Sequence, residues 1–140
     1  MQITINIPMK SDIVNGGVVV SVARKDDSWL KSQLGQYTDK SGVYIHHSNG
    51  EILYIGKTTT GSHGIFGERL RREFKNKASK NLDLYQLLAR QTNEIRTYFL
   101  EIEEIDKLVS AEQTQVPVVR KALIMEQALI GVYDPVGNKG

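Results

Sequence analysis

Four side chains in this sequence are of types that can do chemistry together: Tyr44, Tyr54, Arg69 and Glu126. Glu126 is the most informative of them. Ala122, Leu123, Leu129, Ile130 and Tyr133 fall three, four and seven residues from it, so helical periodicity sets it within an apolar stripe. Burying an unpaired carboxylate is costly, and such a residue takes a cationic, hydrogen-bonding or metal partner. Arg69 shares a basic stretch with Arg71, Arg72, Lys75 and Lys77, opposed only by Glu68 and Glu73. A positive cluster of that kind suits phosphodiester binding, since most protein–DNA contacts go to phosphates; the plain alternative is a solvated basic face. The tyrosines are poor bases at neutral pH with an ordinary pKa of about 10, and a neighbouring cation or metal has to lower it. Their simpler reading is packing in a core.

The elements that must position these groups are legible in the pattern. Gly42-Val43-Tyr44-Ile45 and Ile52-Leu53-Tyr54-Ile55 read as strands, and Asn49-Gly50 between them is the dipeptide of a type I′ hairpin. A helix is expected from about Ile65 to Lys77, with Phe66, Leu70 and Phe74 on one face and Arg69, Arg72 and Glu73 beside it. A second is expected from about Leu82 to Arg90, then a third strand over Ile95–Ile102. Glu103 to Val116 reads as a short helix or turn plus a loop. The last helix opens at Pro117 and runs to about Val132, stopped by Asp134-Pro135. Ahead of the hairpin, Met1–Pro8 alternates like a half-buried strand and Val18–Val22 like a second. Asp26-Asp27-Ser28 reads as the cap of a short helix ended by Gly35. His46 and His47 lie beside the hairpin turn; one at most is expected to face inward, and neither is given a role.

The stretch from Ser41 to Gly56, together with the basic helix after it, resembles the GIY-YIG nucleases. Gly42-Val43-Tyr44 matches the first tripeptide with Val for Ile, and Tyr54-Ile55-Gly56 matches the second. The arginine expected on the first helix is Arg69, the glutamate on a later helix Glu126, and the asparagine near the domain end Asn138. The resemblance covers about Ser41 to Lys139. It implies a metal-dependent DNA endonuclease that hydrolyses phosphodiester bonds with an activated water. Glu126 would hold Mg²⁺ or Mn²⁺, a hard ion for which one carboxylate can suffice beside water and substrate phosphate. Arg69 would offset charge on the scissile phosphate. Tyr44 is the favoured base and Tyr54 the positioner, with the reverse assignment open, and Lys57 would help lower the phenol pKa. Asn138 would fix the terminal loop, or the site, by hydrogen bonding. Arg71, Arg72, Lys75 and His63 are candidates for substrate phosphates.

One position departs from that pattern. Many family members carry His or Tyr four residues after the arginine, where this chain has Glu73. An Arg69–Glu73 pair at that spacing would compete with phosphate, and His63 in the loop before the helix is a candidate to replace the missing group. Two competing readings therefore stand: a catalytically inactive nucleic-acid-binding module of the same fold, and an ordinary α+β domain with protein partners.

Bulk properties set the frame. One hundred and forty residues, 40% hydrophobic and 24% charged, suit one domain able to bury its own core. The absence of cysteine rules out disulfides and thiolate metal sites. No apolar run approaches the roughly 18 residues of a membrane span, and the start lacks the pattern of a signal peptide. The expectation is a soluble intracellular protein, cytoplasmic or nucleoid-associated. The net charge of +2 is too small to imply nucleic acid by itself. The expected fold is α+β: a small, mainly antiparallel three-stranded sheet flanked by helices over 41–140, with a strand-and-helix extension over 1–40. The chain stops two residues past Asn138. Target recognition is therefore expected from the first forty residues, from a homo-oligomer, or from a fused or partner specificity domain.

Overall fold

A computed structural model of the chain describes residues 1–24, 27–58, 64–75 and 82–139. The sheet is built on the expected hairpin. Strand β3 (Gly42–Ser48) turns into β4 (Glu51–Lys57) through Asn49 and Gly50, both at positive φ (51° and 79°) as the type I′ turn demands. Strand β5 (Ile95–Glu101) runs antiparallel on the other side of β3. These are the three expected strands. Strand β2 (Val18–Val19), from the N-terminal extension, adds a fourth on β5, giving the order β2-β5-β3-β4 and leaving β4 at an edge. Strand β1 (Ile3–Ile5) does not pair with β2. It pairs with β6 (Val109–Ala111), a strand that follows helix α4 (Ile102–Leu108) in the stretch expected to end as loop.

Both faces of the sheet are covered, which is why its strands read as nearly continuous apolar runs. Helices α2 (Phe66–Phe74) and α3 (Leu82–Ala89) cover one face, packing Phe66, Leu70, Phe74, Leu84 and Leu88 on Tyr44, Leu53 and Phe99. Trp29 and Leu34, the latter in a 3₁₀ segment (Lys31–Tyr37), complete that layer. Helix α1 (Lys10–Val14), α4 and α5 (Val118–Tyr133) cover the other, with Ile13, Ile105, Met125 and Leu129 on Val43, Ile45 and Ile55. Two-sided burial corrects the expectation for the histidines. His46 and His47 alternate to opposite faces, and both are buried because neither face meets solvent there.

Three local expectations also change. The helix after Trp29 is a 3₁₀ segment kinked at Gly35, and its N-cap is Leu30 with no side-chain cap; Asp26 of the expected cap lies outside the described residues. Helix α2 ends at Phe74, because Ala23 N–H takes the Phe74 carbonyl at 3.0 Å and Lys75 turns extended. Lys75 therefore lies past the helix, and Lys77 lies outside the described residues. Along α5 the buried stripe is Ala122–Met125–Leu129, one residue round from the expected one; Leu123 is 45% exposed and Glu126 sits half-buried on the flank. No helix among the described residues is long and apolar enough to cross a membrane.

Gly56 faces the tyrosine of the neighbouring strand, since Tyr44 and Gly56 are register partners. A Cβ at Gly56 would lie 2.5 Å from Tyr44 Cζ, inside contact distance, so the Tyr44 ring occupies the space a side chain would fill. Tyr44 is fully buried and held by Phe66 edge-on, leaving it no room to retreat. Overpacking of this kind costs about 1–3 kcal/mol. Urea unfolding of Gly56→Ala is expected to show that loss with an unchanged m-value.

Candidate active site

The face of the sheet under α2 carries the polar cluster. Tyr44 and His46 are two apart on β3 and share this face; Tyr54 stands opposite His46 on β4. The Tyr44 and Tyr54 rings lie 6.2 Å apart, and His46 stacks on Tyr54 at 5.9 Å with 23° between planes. A register shift between His46 and His47 supplies an extra residue in β4, so that Leu53 and Tyr54 both serve the α2 and α3 side. Above them α2 presents Arg69 and, one turn on, Glu73.

Glu73 is buried, 5% exposed. One oxygen, Oε2, accepts from the Tyr44 hydroxyl; Oε1 bonds His46 Nε2 at 2.7 Å, and His46 Nδ1 meets Thr97 Oγ1 at 2.8 Å. The expected Arg69–Glu73 ion pair gives way to these contacts, because Glu73 projects down into the sheet rather than along the helix surface. Arg69 is half-buried, and its Nε is a buried donor with no hydrogen-bond partner. Burial works against its charge but is outweighed by Tyr44 and Glu73, so the guanidinium is held more firmly protonated than usual. An orphaned donor on a fixed cation is a place where an anion gains a charge-assisted hydrogen bond.

The phenols move the other way from the expectation that a cation lowers them. Burial first, and Glu73 next, push Tyr44 well above the ordinary tyrosine value. Burial, then Glu73, push Tyr54 up to about 12 against the pull of Arg69. The cation acting on both is Arg69, not Lys57. Lys57 stands opposite Val43, on the face away from Tyr44, because it follows Gly56 by one residue in the strand.

The β4 edge divides the remaining candidates. Glu126 approaches from the α5 side and adds its negative charge to the field at Tyr54. Its Oε1 accepts a long 3.2 Å bond from Gln127 Nε2 and it makes no ion pair among the described residues. Asn138 plugs the open edge itself: its Oδ1 accepts from Ile55 N–H at 2.9 Å and its Nδ2 donates to the Ile55 carbonyl at 2.8 Å. The side chain thus replaces a missing strand and pins the terminal loop beside Tyr54. A groove of about 520 Å³ opens there between α3 and the tail, with Arg90 and Lys139 on its rim. Arg71 leans on Glu68 (Nε–Oε2 3.7 Å), which also pairs with Lys31, so part of the basic cluster is internally balanced. Arg72 follows Arg69 by three residues on α2. His63 lies outside the described residues.

Among the described residues no group of three or more His, Cys, Asp or Glu gathers into a metal cage. The oxygen donor at hand is the Glu126 carboxylate, half-buried and weakly engaged. That donor set fits a hard divalent ion that keeps its waters and borrows substrate oxygens. Thr97 and the role of His46 were not anticipated. His46 carried a signal, being two residues after Tyr44 on one strand; Thr97 is opposite His46 only by virtue of the β3–β5 register.

No family model matches the chain, and no curated protein matches it. Among solved structures, the chain is similar to the GIY-YIG N-terminal endonuclease domain of UvrC from Thermotoga maritima, a tyrosine-to-phenylalanine point mutant bound to the catalytic divalent cation. The identity is 24%, the match covers 73% of this chain and 86% of that one, and the TM-score is 0.42.

Proposed function

We propose that this chain is a divalent-metal-dependent phosphodiesterase acting on DNA as an endonuclease. The observation that carries the reading is Arg69: a half-buried, firmly protonated guanidinium with an unpartnered Nε, set against two tyrosines on a rigid sheet. The resemblance of Gly42–Tyr44, Tyr54–Gly56, Arg69, Glu126 and Asn138 to the nuclease motifs supports it. In this reading Arg69 binds the scissile phosphate and offsets the charge that grows on it, and Tyr44 and Tyr54 orient the attacking water. Arg72 and the groove beside Tyr54 receive the flanking strand, while Asn138 keeps the β4 edge closed. Glu126 would hold Mg²⁺ or Mn²⁺, which supplies Lewis-acid stabilisation at the phosphate oxygens.

The raised phenols favour one second reading, a nucleic-acid-binding module without turnover, since neither tyrosine is ionised at neutral pH. Plasmid nicking by the purified chain in Mg²⁺ or Mn²⁺ separates the two. Nicking that stops on chelation and returns with metal is the expected result. A shift of DNA in a gel without nicking in either ion would leave the module.

A further inference from the structure

We infer that Glu73 is the terminal acceptor of the proton released in hydrolysis, with Tyr44 as shuttle between water and carboxylate and His46 as the positioning residue. This rests on the phosphodiesterase reading above.

One assignment of donors and acceptors gives every group in the cluster a partner. Thr97 donates its hydroxyl to His46 Nδ1, His46 donates Nε2–H to Glu73 Oε1, and Tyr44 donates to Glu73 Oε2. Each of these polar groups then has a partner, as buried polar groups require. The carboxylate accepts two hydrogen bonds and stands one helical turn from the Arg69 guanidinium. The groups facing it are Tyr44 and His46 from β3, Tyr54 from β4, and Arg69 on its own helix. Thr97 and His46 are fully buried, so the chain is closed at its inner end. Its outer end is Tyr44, itself fully buried, which meets the groove through the partly exposed Tyr54, whose ring lies 6.2 Å away.

A buried phenol beside a carboxylate is a poor reservoir for a phenolate, yet it is a good conductor. As the water proton arrives at Tyr44 Oη, the proton already there leaves for Glu73 Oε2. The O–H bond of water breaks, its oxygen bonds to phosphorus, and the bond from phosphorus to the leaving ester oxygen breaks. The leaving oxygen takes a proton from solvent. After product release Glu73 returns its proton through Tyr44 to solvent, so one water and one diester give one monoester and one alcohol. No free phenolate forms at any point, which removes the difficulty posed by the high Tyr44 pKa.

The test combines turnover with a readout that needs none. Wild type, Glu73→Gln, Tyr44→Phe and the double variant are compared in Mg²⁺ on plasmid DNA across pH. The wild-type rate is expected to fall toward acid, as a reaction that needs a free proton acceptor requires. Glu73→Gln, of equal size and able to accept from Tyr44, is expected to lose about 100- to 10,000-fold in kcat. Its KM for DNA should hardly move and its acid limb should vanish. The double variant is expected to be no worse than the poorer single, since both residues lie on one path. In metal-free protein carrying tyrosine labelled with carbon-13 at Cζ, Tyr44 is expected to titrate lower in Glu73→Gln than in wild type. Should Glu73→Gln not fold, Glu73→Asp keeps the carboxylate; its retention of the acid limb supports the relay and loss of the limb overturns it. A Glu73→Gln enzyme with its kcat within about threefold of wild type and its acid limb intact overturns the relay alone. So does a double variant showing the product of the two single losses, or a Tyr44 titration that does not move. A wild type that binds DNA and cuts it in neither ion overturns the phosphodiesterase reading, and the relay with it.

Discussion

Glu126→Ala is expected to reduce metal-dependent cleavage by at least about a thousand-fold, or ~4 kcal/mol of transition-state stabilisation. The reason lies in where the residue sits. Glu126 flanks the buried stripe of α5 without belonging to it, and its hydrogen bond is a long one to its neighbour Gln127. Truncation therefore leaves the packing of Ala122, Met125 and Leu129 intact, and stability should change by less than about 1 kcal/mol. Affinity for DNA in the absence of metal should persist, because the cations proposed to bind phosphate, Arg69 and Arg72, lie on α2 rather than on α5. Calorimetric titration of Mn²⁺ into the metal-free protein gives an independent reading: binding seen in wild type is expected to be lost in the variant. Cleavage persisting in Glu126→Ala would show that the metal is held by other groups.

The second large effect belongs to Arg69. Arg69→Ala is expected to lower kcat by about 10²- to 10³-fold, the cost of removing one preorganised donor from a developing negative charge. Arg69→Lys keeps the charge but not the planar fork, so about tenfold of that loss should be recovered and no more. The split between kcat and KM is informative. If Arg69 acts on charge that grows in the transition state, kcat falls with little change in KM; a rise in KM alone would make it a general phosphate anchor. Loss of Arg69 also removes the cation that opposes Glu73 at the phenols. Tyr54, pushed up to about 12 with Arg69 pulling it down, should then titrate higher still.

Much of the architecture was legible because it is written in local chemistry. Asn49-Gly50 specifies its turn through the positive φ that both positions need, and the strands beside it declare themselves by β-branched and aromatic residues. Pro117 ahead of an apolar-periodic run located α5 to within a residue, and the Phe66, Leu70, Phe74 stripe located the face of α2. The elements that were missed are short. Helix α1 spans five residues and β6 three, lengths at which propensity is overruled by the partner the chain happens to meet, while the strand expected over Val18–Val22 forms but is trimmed to Val18–Val19. Glu126 illustrates a finer failure. An apolar stripe read at three and four residues is broad enough to include its own flank, and only the packed helix shows which side of the stripe is under cover.

Sequence by itself determined the hairpin, the order of the elements and the identity of the groups that could do chemistry: two tyrosines, an arginine, a glutamate and an asparagine in a fixed order. Those are properties of residue type and spacing, and each is carried by backbone rules that act over a few residues. Tertiary structure decided what those groups are to one another. It put Glu73 on Tyr44 instead of Arg69, brought Thr97 across from β5 to fix His46, and sent Lys57 to the far face. It also turned the Asn138 side chain into a substitute strand at Ile55. These pairings join residues distant in the chain through strand register and helix docking, which no local pattern encodes. Desolvation is likewise a property of the assembled core, and it is why the phenols are raised rather than lowered.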